Sequence, residues 1–224
     1  MLTRIVILFV GIAAALPGVQ LVATPRANAT ISPMYWRGQI EAGGPEMTFN
    51  GTIQVISHAV DLDSVPSPTD QCDSGAQEVV AQIRKIKPDF PSGLEIPTSG
   101  PQAKDDDPHE VDCWVGGGGP ATVIYIKQGI QYLRSIPGDC GVSAGDQGYN
   151  TCARISCSYD SGIWLCSDQG QEVLWPCSSL GDIADNDCFK CWKGEDSPEG
   201  VCQGREKWPE QAGGFHVDIG VADC

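Results

Sequence analysis

The apolar positions of this chain fall into short runs of differing period, and each change of period marks an element. Ile5 to Leu16 are continuously apolar, IVILFVGIAAAL, after the basic start Met1–Arg4 and before Pro17 and Gly18. That run is too short to span a bilayer and has the layout of a secretory signal peptide. Cleavage is expected between Gly18 and Ala29, with Gly18, Ala23 and the A-N-A ending at Ala29 as candidate sites. No second long apolar run follows, which predicts a soluble exported protein with no membrane insertion.

Two strands are predicted next, MYWRGQI (34–40) and TFNGTIQVISHAV (48–60), on either side of the turn-rich EAGGPE. In the second, Ile53 and Val55 alternate with Gln54, as in a half-buried strand. Pro66 and Pro68 lie among Ser, Thr and Asp in 61–71, which reads as a linker or exposed loop. The expected organisation is therefore a leader (1–29), a cysteine-free β arm (30–66) and a cysteine-rich core (67–224).

The core opens with a helix. Asp73 or Ser74 can cap it, Val79, Val80, Ile83 and Ile86 recur at helical spacing, and Pro88 ends it. Residues 88–112 read as loop, ATVIYIK (121–127) as a strand, and ARISCSY (153–159) with GIWLCSD (162–168) as a hairpin. SSLGDIADNDC (178–188) reads as a second helix, capped by Ser178 or Ser179, with Leu180, Ile183 and Ala184 on one face. FHVDIGVADC closes the chain as a strand locked by a terminal cysteine. These elements predict an α+β domain: a disulfide-stapled antiparallel sheet with two helices on one face, an α/β sandwich.

Cysteine count changes the picture. Eleven are present: Cys72, Cys113, Cys140, Cys152, Cys157, Cys166, Cys177, Cys188, Cys191, Cys202 and Cys224. In an exported chain they read as a disulfide framework, with the odd one free or paired with another chain. N-x-T sequons at Asn28 and Asn50 are candidate glycosylation sites, and cleavage after Ala29 would remove the first. The net charge of −15 makes nucleic acid and anionic membrane surfaces poor partners.

One motif names a reaction. GVSAG (141–145) matches G-x-S-x-G, with Ser143 as a candidate hydrolase nucleophile, Asp182, Asp185 or Asp187 as acid, His216 as base and GGGG (116–119) as an oxyanion loop. The elbow needs a strand entering and a helix leaving. Here SIPGDC precedes it and DQGYNTC follows, so a glycine-rich loop between disulfides is the reading adopted. His216 alternates with Val217 and Ile219 as an outward strand residue, and His58 reads as a surface residue. Cys188-x-x-Cys191 follows a helix in a crowded cysteine field and reads as structural, not as a thioredoxin-like redox pair. Cys152 and Cys157 could supply zinc ligands, but export favours disulfides; DDDPHE (105–110) reads as a solvated acidic loop. No cofactor is expected. Trp164 is expected to pack in the hairpin, and Trp192 and Trp208 could line a glycan-binding face.

Four segments together, SGAQEVVAQIRKI (74–86), GDQGYNTCARISCSYDSGIWLC (145–166), CSSLGDIADNDCFKC (177–191) and GGFHVDIGVADC (213–224), resemble the killer toxins of smut fungi, the calcium-channel-blocking type, and their cellular relatives. The resemblance spans roughly 72–224, with an insertion from about 88 to 139. It implies an α/β sandwich without catalysis that acts outside the cell on a cation channel or another surface target. It also implies that Arg154, in TCARISC, stands where the family presents its active cation; Ser156 lengthens the spacing to Cys157 by one residue, and the chain is acidic where the toxin is basic. The expected function is a secreted non-enzymatic toxin or effector directed at an extracellular protein or cell-wall target. A secreted serine hydrolase using Ser143 and a carbohydrate- or wall-binding module are the alternatives.

Overall fold

The computed structural model describes residues 29–51, 75–90, 110–115, 118–145, 150–194, 200–208 and 214–224. The expected leader, the linker at 61–71, His58, the caps at 73–74 and Cys72 lie outside them. Thirteen strands and three helices occur among the described residues. In chain order they are β1 (Thr30–Ile31), β2 (Met34–Gln39), β3 (Glu46–Asn50), α1 (Gly75–Ile86), β4 (Glu110–Cys113), β5 (Ala121–Thr122), α2 (Val123–Ser135) and β6 (Asp139–Val142), then β7 (Thr151–Ser158), β8 (Ser161–Ser167), β9 (Val173–Pro176), α3 (Cys177–Lys190), β10 (Trp192–Lys193), β11 (Val201–Cys202), β12 (Gly204–Trp208) and β13 (Phe215–Val221). The fold is a disulfide-stabilised α+β arrangement.

A six-stranded sheet, order β1-β7-β8-β13-β12-β4, forms the centre; all its pairs are antiparallel except β1 with β7. Buried residues of α1, α2 and α3 join Ala153, Ile155, Ile163, Leu165, Val217 and Ile219 in one core, so the helices cover one face of this sheet. A four-stranded sheet, β3-β2-β6-β9, and a three-stranded one, β10-β11-β5, complete the body.

Three expectations need correction. The segment 121–127 is helical from Val123 onward. Val123, Ile126, Ile130 and Leu133 are buried at helical spacing, and this longer periodicity overrides the local β-branched run. Second, residues 30–50 are not a separate arm: β2 pairs with β6, and Met34 and Trp36 lie in the main core, with Trp36 Nε1 donating to the Pro137 carbonyl at 2.7 Å. Third, α3 starts at Cys177 after Pro176, so neither Ser178 nor Ser179 caps it.

Five disulfides join Cys113 to Cys191, Cys140 to Cys177, Cys152 to Cys166, Cys157 to Cys224 and Cys188 to Cys202. A β-bulge in β7 serves one of them. The register shifts between Arg154 and Ser156, so Ile155 and Ser156 both face the helices and Cys157 returns to the opposite face, where Cys224 waits. The extra residue that lengthens the Arg154–Cys157 spacing is thus taken up in the bulge.

Candidate functional site

Strand register places the polar residues in rows on the sheet face away from the helices. Arg154, Trp164, Asp218, Arg205 and Asp112 stand side by side across five strands, and Cys152, Cys166, His216, Lys207 and Glu110 form the next row. This face has a cover of its own: Cys152, Cys157, Trp164, Cys166, Ala222 and Cys224 are buried, with Ala29 and Ile31 packed against them.

Charges in these rows compensate one another. Arg205 is bidentate to Asp218, at 2.6 and 2.7 Å, and both are buried. The hydrogen bonds that Arg205 donates to Asp218 lead in raising its pKa above the ordinary value. At the edge, Lys207 donates to Asp112 and lies 3.5 Å from Glu110; the Asp112 bond is the main cause of its raised pKa.

His216 is 1% exposed, not an outward residue. Alternation did put it on the face opposite Val217, but that face is covered. Its Nδ1 lies 2.7 Å from Asp168 Oδ1 and its Nε2 faces Asp218 Oδ1 at 3.7 Å. A histidine poised as a general base needs its second nitrogen against a nucleophile. Here that position is taken by a carboxylate already held by Arg205. Ser143 stands exposed just after β6, in the four-stranded sheet, and residues 143–145 are not helical. Asp182 and Asp185, two of the candidate acids, bind Arg134 at 2.6 and 2.9 Å. Gly118 and Gly119 lie against the end of β13, where Val221 N–H donates to the Gly119 carbonyl.

Arg154 is the larger correction. Expected as a presented cation, it is 1% exposed. Its guanidinium carbon lies 5.9 Å from the Trp164 ring centroid, and Nη1 donates to the Asp223 carbonyl. The tie between Cys157 and Cys224 folds the chain terminus over it. Asn50 does stand exposed, at the end of β3.

Cys152, Cys166 and His216 offer ligand atoms within 4.8 Å of one another. The two sulfurs are bonded to each other, so the group presents one nitrogen and no thiolate, and does not fit a metal. Among the tryptophans, Trp208 is packed inside against Trp175 and Phe215, and Trp192 is half-buried. Trp114, which sequence reasoning passed over, is 37% exposed, holds a φ of 62° and lies under Lys193, whose Nζ is 3.7 Å from its ring centroid.

On the inner face, Asp187 is fully buried on α3. Burial above all, then the charges of Glu206 and Asp218, push its carboxyl up to about 8, against the opposing pull of Arg205 and Lys190. Periodicity held the signal: Asp187 follows Leu180, Ile183 and Ala184 on the same helical stripe. No described helix is long and apolar enough to cross a membrane. No family model, no curated protein and no solved structure matches the chain.

Proposed function

We propose that the protein is secreted and acts outside the cell that makes it, as a non-enzymatic toxin or effector. The observation that carries this reading is that all ten described cysteines are paired in five disulfides. Such a framework forms and persists in an oxidising compartment and stiffens a small body for use outside the cell. It accords with the apolar leader run at 5–16. Non-enzymatic action is favoured by the internal compensation of the polar rows: Arg205 and Asp218 bond each other, and His216 Nδ1 is held by Asp168. The active-cation role does not carry over to Arg154, because a covered guanidinium cannot meet a channel mouth. Target contact falls to exposed groups such as Phe189, Ile124 and Trp114.

The test is a dose–response of protein purified from culture medium on sensitive fungal or plant cells. Growth inhibition is expected, should vanish after reduction and alkylation, and should be unchanged in Ser143→Ala. Labelling by a fluorophosphonate probe that disappears in that variant would replace this reading with the hydrolase. Trp114 favours one other reading, a wall-binding module; retention on chitin or glucan without inhibition, lost in Trp114→Ala, would establish it.

A further inference from the structure

Of the five disulfides, four have both residues buried, and Cys113 is the one bonded cysteine among the described residues that is half-exposed. Its partner Cys191 is 1% exposed. Of the two ends of this bond, only Cys113 borders solvent. A thiolate arriving at Cys113 expels Cys191 as the leaving group, into the interior. A bare thiolate there would carry a heavy desolvation cost.

What lies beside Cys191 answers that cost. Asp187 Oδ1 is 3.6 Å from Cys191 Sγ, and Asp187 Oδ2 is buried with no hydrogen-bond partner. A disulfide sulfur has no hydrogen, so any hydrogen in this contact belongs to Asp187. The meeting is made possible by Gly204, which pairs with Cys113 in the sheet. A Cβ at 204 would fall 2.1 Å from Asp187 Oδ1 and 2.8 Å from Cys191 Sγ. Next to Cys113 the chain turns through Trp114, in the left-handed region, with the Lys193 ammonium over its ring. A cation at that edge attracts an incoming thiolate.

We propose that Cys113–Cys191 is a thiol-exchange site, and that Asp187 is the acid that protonates the Cys191 sulfur as it leaves. The co-reactant is a thiol, small or on a protein. Its thiolate forms a new S–S bond with Cys113 as the Cys113–Cys191 bond breaks. Cys191 departs with the electron pair and takes the proton of Asp187, which becomes a carboxylate. With a dithiol, the second thiol then attacks the mixed disulfide and frees Cys113, so the reagent is oxidised by two electrons and the cysteine pair reduced. Asp187 recovers its proton from solvent. The carboxyl is set for this: burial, Glu206 on β12 and Asp218 on β13 hold it protonated at neutral pH, against Arg205 on β12 and Lys190 on its own helix. Cys188 and Cys191 are each bonded elsewhere and not to the other, so the C-x-x-C spacing is not a redox pair and only Cys191 takes part in the exchange. This site stands apart from the toxin reading, and either can fail without the other.

The experiment uses limiting dithiothreitol on the full secreted chain, rapid alkylation and mass mapping. Cys113 and Cys191 should be labelled first. The rate per reagent thiolate should fall as pH rises through about 8, where Asp187 loses its proton. In Asp187→Asn the rate should be about a hundredfold or more lower at pH 6–7 and flat with pH, as expected when a positioned acid is removed. Glu206→Gln, which takes away a negative neighbour, should shift the fall to lower pH while Cys113 and Cys191 remain first. Another pair opening first would overturn the proposal, as would a wild-type rate per thiolate that does not fall with pH. Equal profiles for wild type and Asp187→Asn would do the same. If the Asn variant does not fold, the wild-type profile and the Glu206→Gln shift decide.

Discussion

Arg154 and Trp164 stand opposite each other on neighbouring strands, the guanidinium over the indole, and both are almost wholly shielded from water. A buried cation of this kind is a structural element before it is anything else. Arg154→Glu would set a carboxylate against the Asp223 carbonyl oxygen and the negative face of the ring. The expected result is a loss of about 3 kcal/mol or more and poor secretion, since an uncompensated buried charge costs that much. Denaturation midpoints and yield in the medium measure it. A variant as stable as wild type, deficient only in biological effect, would restore the idea of a presented cation.

The Arg205–Asp218 pair invites a double-mutant cycle. Asp218→Asn leaves a buried guanidinium short of its counter-charge and should cost about 3–5 kcal/mol in urea unfolding. Replacing the pair together with Met and Leu should cost clearly less than the sum of the single losses. Additive losses would mean that the two residues do not depend on each other.

Asp187 gives stability a pH dependence of unusual sign for a carboxyl. Folded, it holds its proton up to about 8; unfolded, it releases it near the ordinary 3.8. The folded state therefore binds more protons across that window. Its contribution is fully present below the lower value and is lost as pH rises towards the upper one. The slope from this one group approaches about 1.4 kcal/mol per pH unit. Asp187→Asn should flatten the stability profile between pH 5 and 8 and gain most at the alkaline end. Unfolding by guanidinium chloride at a series of pH values reads this directly, and parallel profiles for the two proteins would refute it.

Gly129 tests the seam between α2 and the bulged strand. A Cβ there would meet Ser156 Oγ at 2.5 Å and Ile163 Cδ1 at 3.1 Å. Gly129→Ala improves helix propensity by about 1 kcal/mol, yet overpacking of about 1–3 kcal/mol should outweigh it. Adding Ser156→Gly should recover much of the loss. A stabilised single variant would show that the helix can move away from the sheet.

Periodicity made most of the fold readable and very little of the site. Alternation gave β13 and both arms of the β7–β8 hairpin, and a helical stripe gave α1 and α3. The hairpin turn itself, Tyr159 and Asp160 at φ of 45° and 57°, has the two left-handed residues of a tight hairpin without the usual Asn-Gly signature. For α2, three β-branched letters in a row, Thr122–Ile124, outweigh a stripe that becomes visible only when the window reaches Leu133. Alternation also says which face a residue takes, but not whether that face is covered. His216 takes the side of the sheet that alternation assigns it, yet that side is covered, and the same cover hides Arg154. The cover comes from distant parts of the chain, Ala29, Ile31 and residues 222–224, joined through pairings that spacing alone does not reveal.

The strand order also sets a timetable. β13, later in the chain than its neighbours in this sheet, lies between β8 and β12, and β4 joins the sheet only through β12. The sheet's interior cannot close until residues 215–221 have emerged, because its keystone is delivered after the strands on either side of it. Cys152–Cys166 and Cys188–Cys202, each only 14 residues apart, can be sealed early, whereas Cys157 has to wait for Cys224, 67 residues further on. A chain halted before residue 215 would have its short loops locked and its centre open, a half-closed sheet whose unpaired edges invite misassembly.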